Sequence, residues 1–173
     1  MAASYTLIAT SNVTSAVNNI TFSSISSNYT DLVLHYTAIK LDNSSGISNA
    51  SFYLQANGVT TSVYATRGIR TNNTPEVRGF SGTNSSGELT WSADSTSNTF
   101  GTTGLLNIFN YRSTTRNKAG FGHAGNSFQG QGFDAVETWL FNSTSPITEL
   151  KFYPQRNNFI SGTVVHLYGI LAA

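Results

Sequence analysis

The chain has 173 residues, of which 39% are hydrophobic and 12% aromatic, enough for one domain with a buried core. Only 10% of the residues are charged and the formal net charge is +1, so long-range attraction to nucleic acid or to an anionic membrane is weak and we expect neither as a partner. The absence of cysteine excludes disulfides and thiolate metal sites.

Hydrophobic residues alternate with polar ones along most of the chain, a period of two that is typical of half-buried β-strands. β-branched and aromatic residues dominate these runs, as a pleated surface favours. In chain order the predicted strands are Tyr5–Thr10, Ile20–Phe22, 31–38, 51–57, Ser62–Thr66, Glu88–Trp91, 104–111, Ala119–Ala124, Ile147–Tyr153 and 163–171.

The segment "FDAVETWLF" fits either of two structures. A helix would place Phe133, Val136 and Leu140 on one face. A strand would place on one side Phe133, Ala135, Trp139 and Phe141, interrupted by Glu137. We favour the strand, because no capping residue and no basic last turn frame a helix.

Segments rich in Gly, Asn and Ser separate the predicted strands. Asn57-Gly58 is the strongest hairpin signal, since both residues tolerate the positive φ of a type I′ turn. We expect the Gly-rich stretch Gly120–Gly132 to be mainly a flexible loop. No helix follows that stretch, so it lacks the helix dipole that makes such loops bind phosphate. Without βαβ alternation, residues 1–173 are predicted to form a single all-β domain, an antiparallel β-sandwich or jelly roll.

The last strong feature is predicted to be a hairpin of Leu150–Tyr153 and Thr163–Leu171. Apolar residues on both faces of the second strand indicate that it lies inside a sheet. Pro154 ends the first strand, because proline cannot donate to a ladder. Phe159 lies in the loop between them, where pairing of the two strands cannot bury it, so it must tuck under its own loop or contact a neighbouring molecule.

No arrangement of residues predicts catalysis, a metal or a cofactor. His35, His123 and His166 lie on separate predicted strands without ligand-like spacing, which favours packed or edge histidines over a zinc site. Asp134 and Glu137 are close in sequence, but on a strand their odd spacing sends them to opposite faces, unlike the paired carboxylates of a glycosidase. Neither a Gly-x-Ser-x-Gly elbow nor a phosphate-binding loop is present. We therefore expect a protein that is not an enzyme.

Basic residues gather loosely at 67–78 and 112–118, the second next to an aromatic residue. Such a set could form a groove that stacks single-stranded nucleic acid. The balancing acids favour a protein interface instead, since arginine and aromatic residues are enriched there. The candidate interface residues are Arg67, Arg70, Arg78, Tyr111, Arg112, Arg156 and Phe159.

Five segments, in order over nearly the whole chain, resemble a group of small virion proteins of tailed bacteriophages, notably phages of cyanobacteria and marine bacteria. They are "SYTLIAT", "ITFSSISSNYTDLVL", "LQANGVTTSVYATRGI", "IFNYRSTTRNKAG" and "WLFNSTSPITELKFYPQRNNFISGTVVHLYGI". The resemblance implies a β-sandwich subunit on the outside of a phage particle, either a capsid decoration (cement) protein or a tail or fibre component. It implies no active-site residues.

We therefore expect a non-enzymatic virion protein that binds the outer surface of the head as a homo-oligomer. A trimer would suit positions of local threefold symmetry, with other copies and the major capsid protein as partners. Residues 1–12 lack the basic and apolar regions of a signal peptide, so we expect synthesis in the cytoplasm of the bacterial host and then incorporation into the virion. The alternative is a tail or fibre module that binds a host surface glycan, with Trp91 and Tyr111 as candidate sugar-stacking residues.

Overall fold

A computed structural model describes residues 4–42, 50–71, 77–91, 101–128 and 131–171. Within these ranges the chain forms twelve β-strands and no helix. The strands are β1 (Ser4–Asn12), β2 (Ile20–Phe22), β3 (Asp31–Ile39), β4 (Ser51–Ala56), β5 (Tyr64–Thr71), β6 (Val77–Asn84), β7 (Gly87–Trp91), β8 (Thr102–Phe109), β9 (Lys118–Phe128), β10 (Gln131–Phe141), β11 (Leu150–Pro154) and β12 (Val164–Leu171).

The strands form two antiparallel sheets. The larger has the order β1-β12-β3-β8-β9-β10-β5-β6, and the smaller has the order β2-β11-β4-β7. The set β1-β12-β3-β8 lies against β2-β11-β4-β7, which is the strand order of a jelly roll built from two Greek keys. The pairs β9–β10 and β5–β6 extend the larger sheet beyond β8. The predicted all-β antiparallel sandwich is confirmed.

The core lies between the two sheets and consists of the inward-facing residues of both. Tyr36 of β3 packs on the ring of Phe152 in β11, with ring centres 5.4 Å apart, and on Phe52 in β4 at 6.2 Å. All three rings are buried. Fully burying an aromatic side chain contributes about 1.5–3 kcal/mol, so contacts of this kind hold the sheets together.

The extension of the larger sheet covers the edge of the smaller one at β7. Trp139 and Phe141 of β10 and Tyr64 of β5 form a buried aromatic group there, with Tyr64 and Phe141 stacked at 5.0 Å. Gly87 of β7 lies directly beneath the indole, where an added Cβ would come within 1.8 Å of Trp139 Nε1. The segment that fitted either helix or strand is the strand β10, and its inward side includes the buried Glu137.

The predicted turn at Asn57-Gly58 exists, but the predicted hairpin is wrong. Both residues have positive φ, 53° and 64°, and the N–H of Val59 donates to the Ala56 carbonyl at 3.0 Å. β4 and β5, on either side of this turn, belong to different sheets. The Asn57 side chain instead holds the segment before β11, accepting from the N–H of Thr148 at 2.8 Å.

The predicted C-terminal hairpin is also wrong. β11 lies in the smaller sheet between β2 and β4, whereas β12 lies in the larger sheet between β1 and β3. The loop between them crosses from one sheet to the other. The prediction that the last strand lies inside a sheet is confirmed, since β12 lies between β1 and β3. Alternation and apolarity indicate that a strand is buried, but they do not identify its partner strand.

The Gly-rich stretch Gly120–Gly132 is not mainly a loop. Its described residues belong to β9 and β10, with residues 129–130 outside the described ranges. Gly120 faces inward, where an added Cβ would lie 2.8 Å from the Asn107 carbonyl oxygen and 3.1 Å from Leu106. Glycine lets β9 lie close to β8 here, which is a role of glycine in strands that composition alone does not reveal.

Candidate interaction surface

Phe159 is buried in the core of its own molecule, with none of its surface exposed. Its ring packs on Phe152 at 5.3 Å and on Phe52 at 6.1 Å. Its N–H donates to the Val17 carbonyl at 2.8 Å, and its carbonyl accepts from the Val17 N–H at 2.9 Å. Of the two alternatives left open by the sequence, Phe159 therefore tucks inside, and it is not a contact residue for a partner.

Tyr111 is also buried, which corrects its assignment as an interface or sugar-stacking residue. Its hydroxyl donates to the carbonyl of Ser26 and accepts from the N–H of Tyr29 at 3.4 Å. Burial raises the pKa of Tyr111. The two hydrogen bonds of its hydroxyl join the turn after β8 to the segment before β3. Trp91, the other proposed sugar-stacking residue, ends β7, and its side chain lies outside the described residues.

The candidate arginines do not form one patch. Arg67 is exposed on the outward side of β5, whereas Arg70, an odd number of residues away, lies on the opposite side of that strand. Arg112 donates to the carbonyl of Ser27 at 3.1 Å. Arg156 is exposed in the loop after β11, and Arg78 pairs with Arg70 in register but has a side chain outside the described residues.

The two carboxylates weighed as a catalytic pair point to opposite sides of β10, as predicted. Asp134 is exposed and Glu137 is buried. Burial, and then the nearby Glu137 carboxylate, raises the pKa of Tyr36 well above its ordinary value.

Across the described ranges, no three His, Asp or Glu side chains come together as a metal ion requires. The described residues include no helix that is long and apolar enough to cross a membrane.

The feature that sequence reasoning missed is the outward side of the larger sheet, which we call the outer face. It is formed by the outward-facing side chains of β1, β12, β3, β8, β9, β10 and β5. Seven large hydrophobic side chains on it are 39% to 63% exposed. They are Tyr5, Leu7, Ile69, Leu105, Phe109, Phe121 and Leu140. Exposed apolar side chains gathered on one side of a protein are typical of an interaction site.

All three histidines lie in one row across the middle of the outer face. His166 on β12 pairs with His35 on β3. His35 in turn pairs with Leu105 on β8, and Leu105 with His123 on β9. The rings of His35 and His166 are stacked with centres 6.0 Å apart, and Nδ1 of His166 shares a 2.9 Å hydrogen bond with the Thr10 hydroxyl. Burial, and then the His166 charge, lowers the pKa of His35.

Two depressions mark the outer face. One, of about 360 Å³, lies beside the histidine pair and is lined by Tyr5, Val33, His35, Leu105, Asn107 and Tyr168. The rings of Tyr5 and Tyr168 meet edge to face at 6.4 Å there. The second, of about 310 Å³, lies over β5, β9 and β10 and includes Arg67, Ile69 and Phe121.

The outer face carries little charge. Across the sheet from β1 through β12, β3, β8, β9 and β10 to β5, the acidic and basic residues among the described outward side chains are Asp31, Arg67 and Asp134. Asp31 already accepts a hydrogen bond from the N–H of Asn110 at 2.7 Å. The middle of the face, over β12, β8 and β9, therefore presents rings, aliphatic groups and imidazoles to solvent. Such a surface selects partners by shape and apolar contact and not by long-range charge.

No family model, no curated protein and no solved structure matches this chain. The fold is defined by the strand order itself. A jelly roll supports many unrelated functions, so the function has to be argued from the surface.

Proposed function

We propose that this protein is a non-enzymatic structural subunit of a tailed-phage virion, a decoration protein that binds the outer surface of the head as a homo-oligomer. The observation that carries the proposal is the outer face, a broad apolar surface with little charge on a compact jelly roll. A subunit that spends its existence assembled tolerates such a surface, whereas a free monomer at high concentration would self-associate.

Three further features support a structural role. Jelly rolls are frequent among viral capsid domains, although they also occur in lectins. The chain segments that resemble small virion proteins include the strands that build both sheets. The fold contains no disulfide, and with few charges its surface contacts are little affected by salt, which suits a particle released from the cell into varied media.

Purified protein is expected to add to phage heads that lack it, saturably and in a fixed ratio to the major capsid protein. Co-sedimentation with heads, followed by electron cryomicroscopy of the decorated particles, would measure the ratio and locate the added density on the outer surface. Heads stripped of their exposed proteins by protease provide the control for non-specific adsorption. A protein that neither self-associates nor binds heads or tails would contradict the proposal.

A second candidate function, a glycan-binding module on a tail or fibre, is favoured by the depression beside the histidine pair. It offers the rings of Tyr5 and Tyr168 for stacking on a sugar and the Asn107 amide for its hydroxyls. Replacing Tyr168 with alanine should then reduce binding to host polysaccharide at least about tenfold, the effect of losing one well-placed contact. Tyr153→Ala, in the smaller sheet, is the matched control. Binding unaffected by both changes would contradict a site in this depression.

A further inference from the structure

The area of the outer face fits a contact with another protein of similar size. With aromatic and aliphatic side chains of roughly 150–250 Å² each, the exposed fractions of its seven large hydrophobic residues leave on the order of 700 Å² of apolar surface on one side of the molecule. A stable protein interface of standard size buries about 800 Å² on each partner. A small ligand would cover only a fraction of this surface.

The charge of the outer face fits a partner that carries the same surface. Two copies brought face to face would meet with Leu105, Phe121 and their neighbours opposed, and with no like-charge repulsion over the middle of the face. A strongly charged partner would find no complementary groups there. Sheets pack face to face at about 10 Å with interdigitating side chains, and a patch that fits its own copy generates a closed twofold pair.

The geometry points to a second copy of this chain as the occupant of the outer face, the two copies pairing face to face about a twofold axis. This inference deepens the proposed function, because it names the surface through which the copies associate. It also departs from the trimer expected from the sequence, since a self-complementary face closes with two copies.

Pairing through this face would bury the two stacked histidines of each copy. The titratable and charged groups around His35 and His166 are Tyr168 on β12, Tyr5 on β1, His123 on β9, and Asp31 on β3. Among these groups Asp31 is the single carboxylate, and the Asn110 N–H already occupies one of its oxygens. An imidazole removed from water without a counter-charge ionises less readily, so the paired state binds fewer protons than the separate copies. Association then weakens as the pH falls through the pKa that His35 has in the separate copy, which burial already holds below the ordinary histidine value of about 6.5.

The decisive variant is Leu105→Arg, which puts a charge at the middle of the outer face. Leu105 is 39% exposed, so the change should leave the fold intact, as far-ultraviolet circular dichroism and thermal unfolding would verify. Sedimentation velocity should find a dimer at pH 7.5 for the natural protein and a dissociation constant raised at least about tenfold for the variant. The matched control is Leu171→Arg, since Leu171 is 42% exposed but lies on the opposite side of β12, and it should leave the constant unchanged.

The same measurement at pH 5.0 should give association at least about tenfold weaker than at pH 7.5. A difference of one unit between the pKa of a histidine in the separate copy and in the pair changes the association constant by a factor of ten. The triple variant His35→Gln, His123→Gln, His166→Gln should associate equally at the two pH values, because His123 lies in the same row of the outer face.

The pairing would be overturned by a monomer, by a trimer, or by a dimer that is insensitive to Leu105→Arg. A dimer joined through the edge strand β1 would be an example of the last. A monomer that still decorates heads would overturn it and leave the proposed function standing. A pH-sensitive dimer that binds no particle would leave the pairing standing and remove the proposed function.

Discussion

Replacing Phe159 with alanine should lower the free energy of unfolding by about 3–5 kcal/mol, the usual cost of deleting a buried phenylalanine ring. The ring is fully buried between Phe52 and Phe152, and its backbone pairs with that of Val17. The loop that holds it cannot collapse into the space left by the ring without breaking that pairing. Chemical denaturation at constant pH, monitored by tryptophan fluorescence, measures the difference.

Arg156→Ala is the matched control for Phe159→Ala. Arg156 lies in the same loop, but its side chain is exposed. The free energy of unfolding of Arg156→Ala should therefore change by less than about 0.5 kcal/mol. Phe159→Leu should fall between the two, because leucine refills part of the volume. If Phe159→Ala cost less than about 1 kcal/mol, the ring would not be part of the core.

Replacing Lys118 with methionine is expected to cost about 2–4 kcal/mol, through lost hydrogen bonds from a charged donor. Lys118 is fully buried at the start of β9, and its Nζ donates to the carbonyls of Ser113 at 2.6 Å, Arg116 at 3.1 Å and Ser143 at 3.2 Å. Burial lowers the pKa of the ammonium group, while the three carbonyl oxygens accept hydrogen bonds from its three N–H groups. Methionine keeps the length of the side chain but leaves all three oxygens without this donor.

The effect of Lys118→Met should be local as well as global. Amide hydrogen exchange should increase most in the turn between β8 and β9 and in the segment after β10, because the ammonium group joins them. Arg116→Met, an exposed position in the same turn, is the control and should change neither the exchange nor the stability. An equally stable Lys118→Met protein would mean that water replaces the ammonium group at the three carbonyls.

The sequence predicted most of the strands, because alternation depends only on which side of a strand is buried. It missed β6, whose segment is rich in Gly, Ser and Asn and was interpreted as a turn. β10 shows this: Ala135, Glu137 and Trp139 face inward, and even the buried carboxylate keeps the period. Pairing could not be predicted for β1 to β5, β11 and β12, since strands that follow one another there lie in different sheets. The turn at Asn57 has the backbone conformation of a hairpin turn, yet β4 and β5 diverge after it. Tertiary contacts, such as those of the Asn57 side chain with the segment before β11, decide where each strand goes.

The candidate site was harder to predict than the fold. Residue type suggested Tyr111 and Phe159 as contacts, but aromatic residues in loops can equally be buried, and both are. The outer face went unrecognised because each of its exposed residues, such as Leu105 or Phe121, alternates within a strand like any core residue. Only the strand order shows that these residues share one face, and that three histidines far apart in the chain lie in one row.

The position of β12 between β1 and β3 has a consequence for how the protein is made. Thr10 and His166, neighbours in the finished sheet, are 156 residues apart in the chain. While a ribosome is still synthesising the polypeptide, both β1 and β3 lack the strand that separates them, so β1 has no partner strand and one edge of β3 stays unpaired. Closing so long a stretch of chain is entropically costly, and jelly rolls rich in such distant contacts fold on the millisecond-to-second scale or slower. Folding should therefore be completed only after β12 emerges, which makes the nascent chain the form most exposed to aggregation and to chaperones.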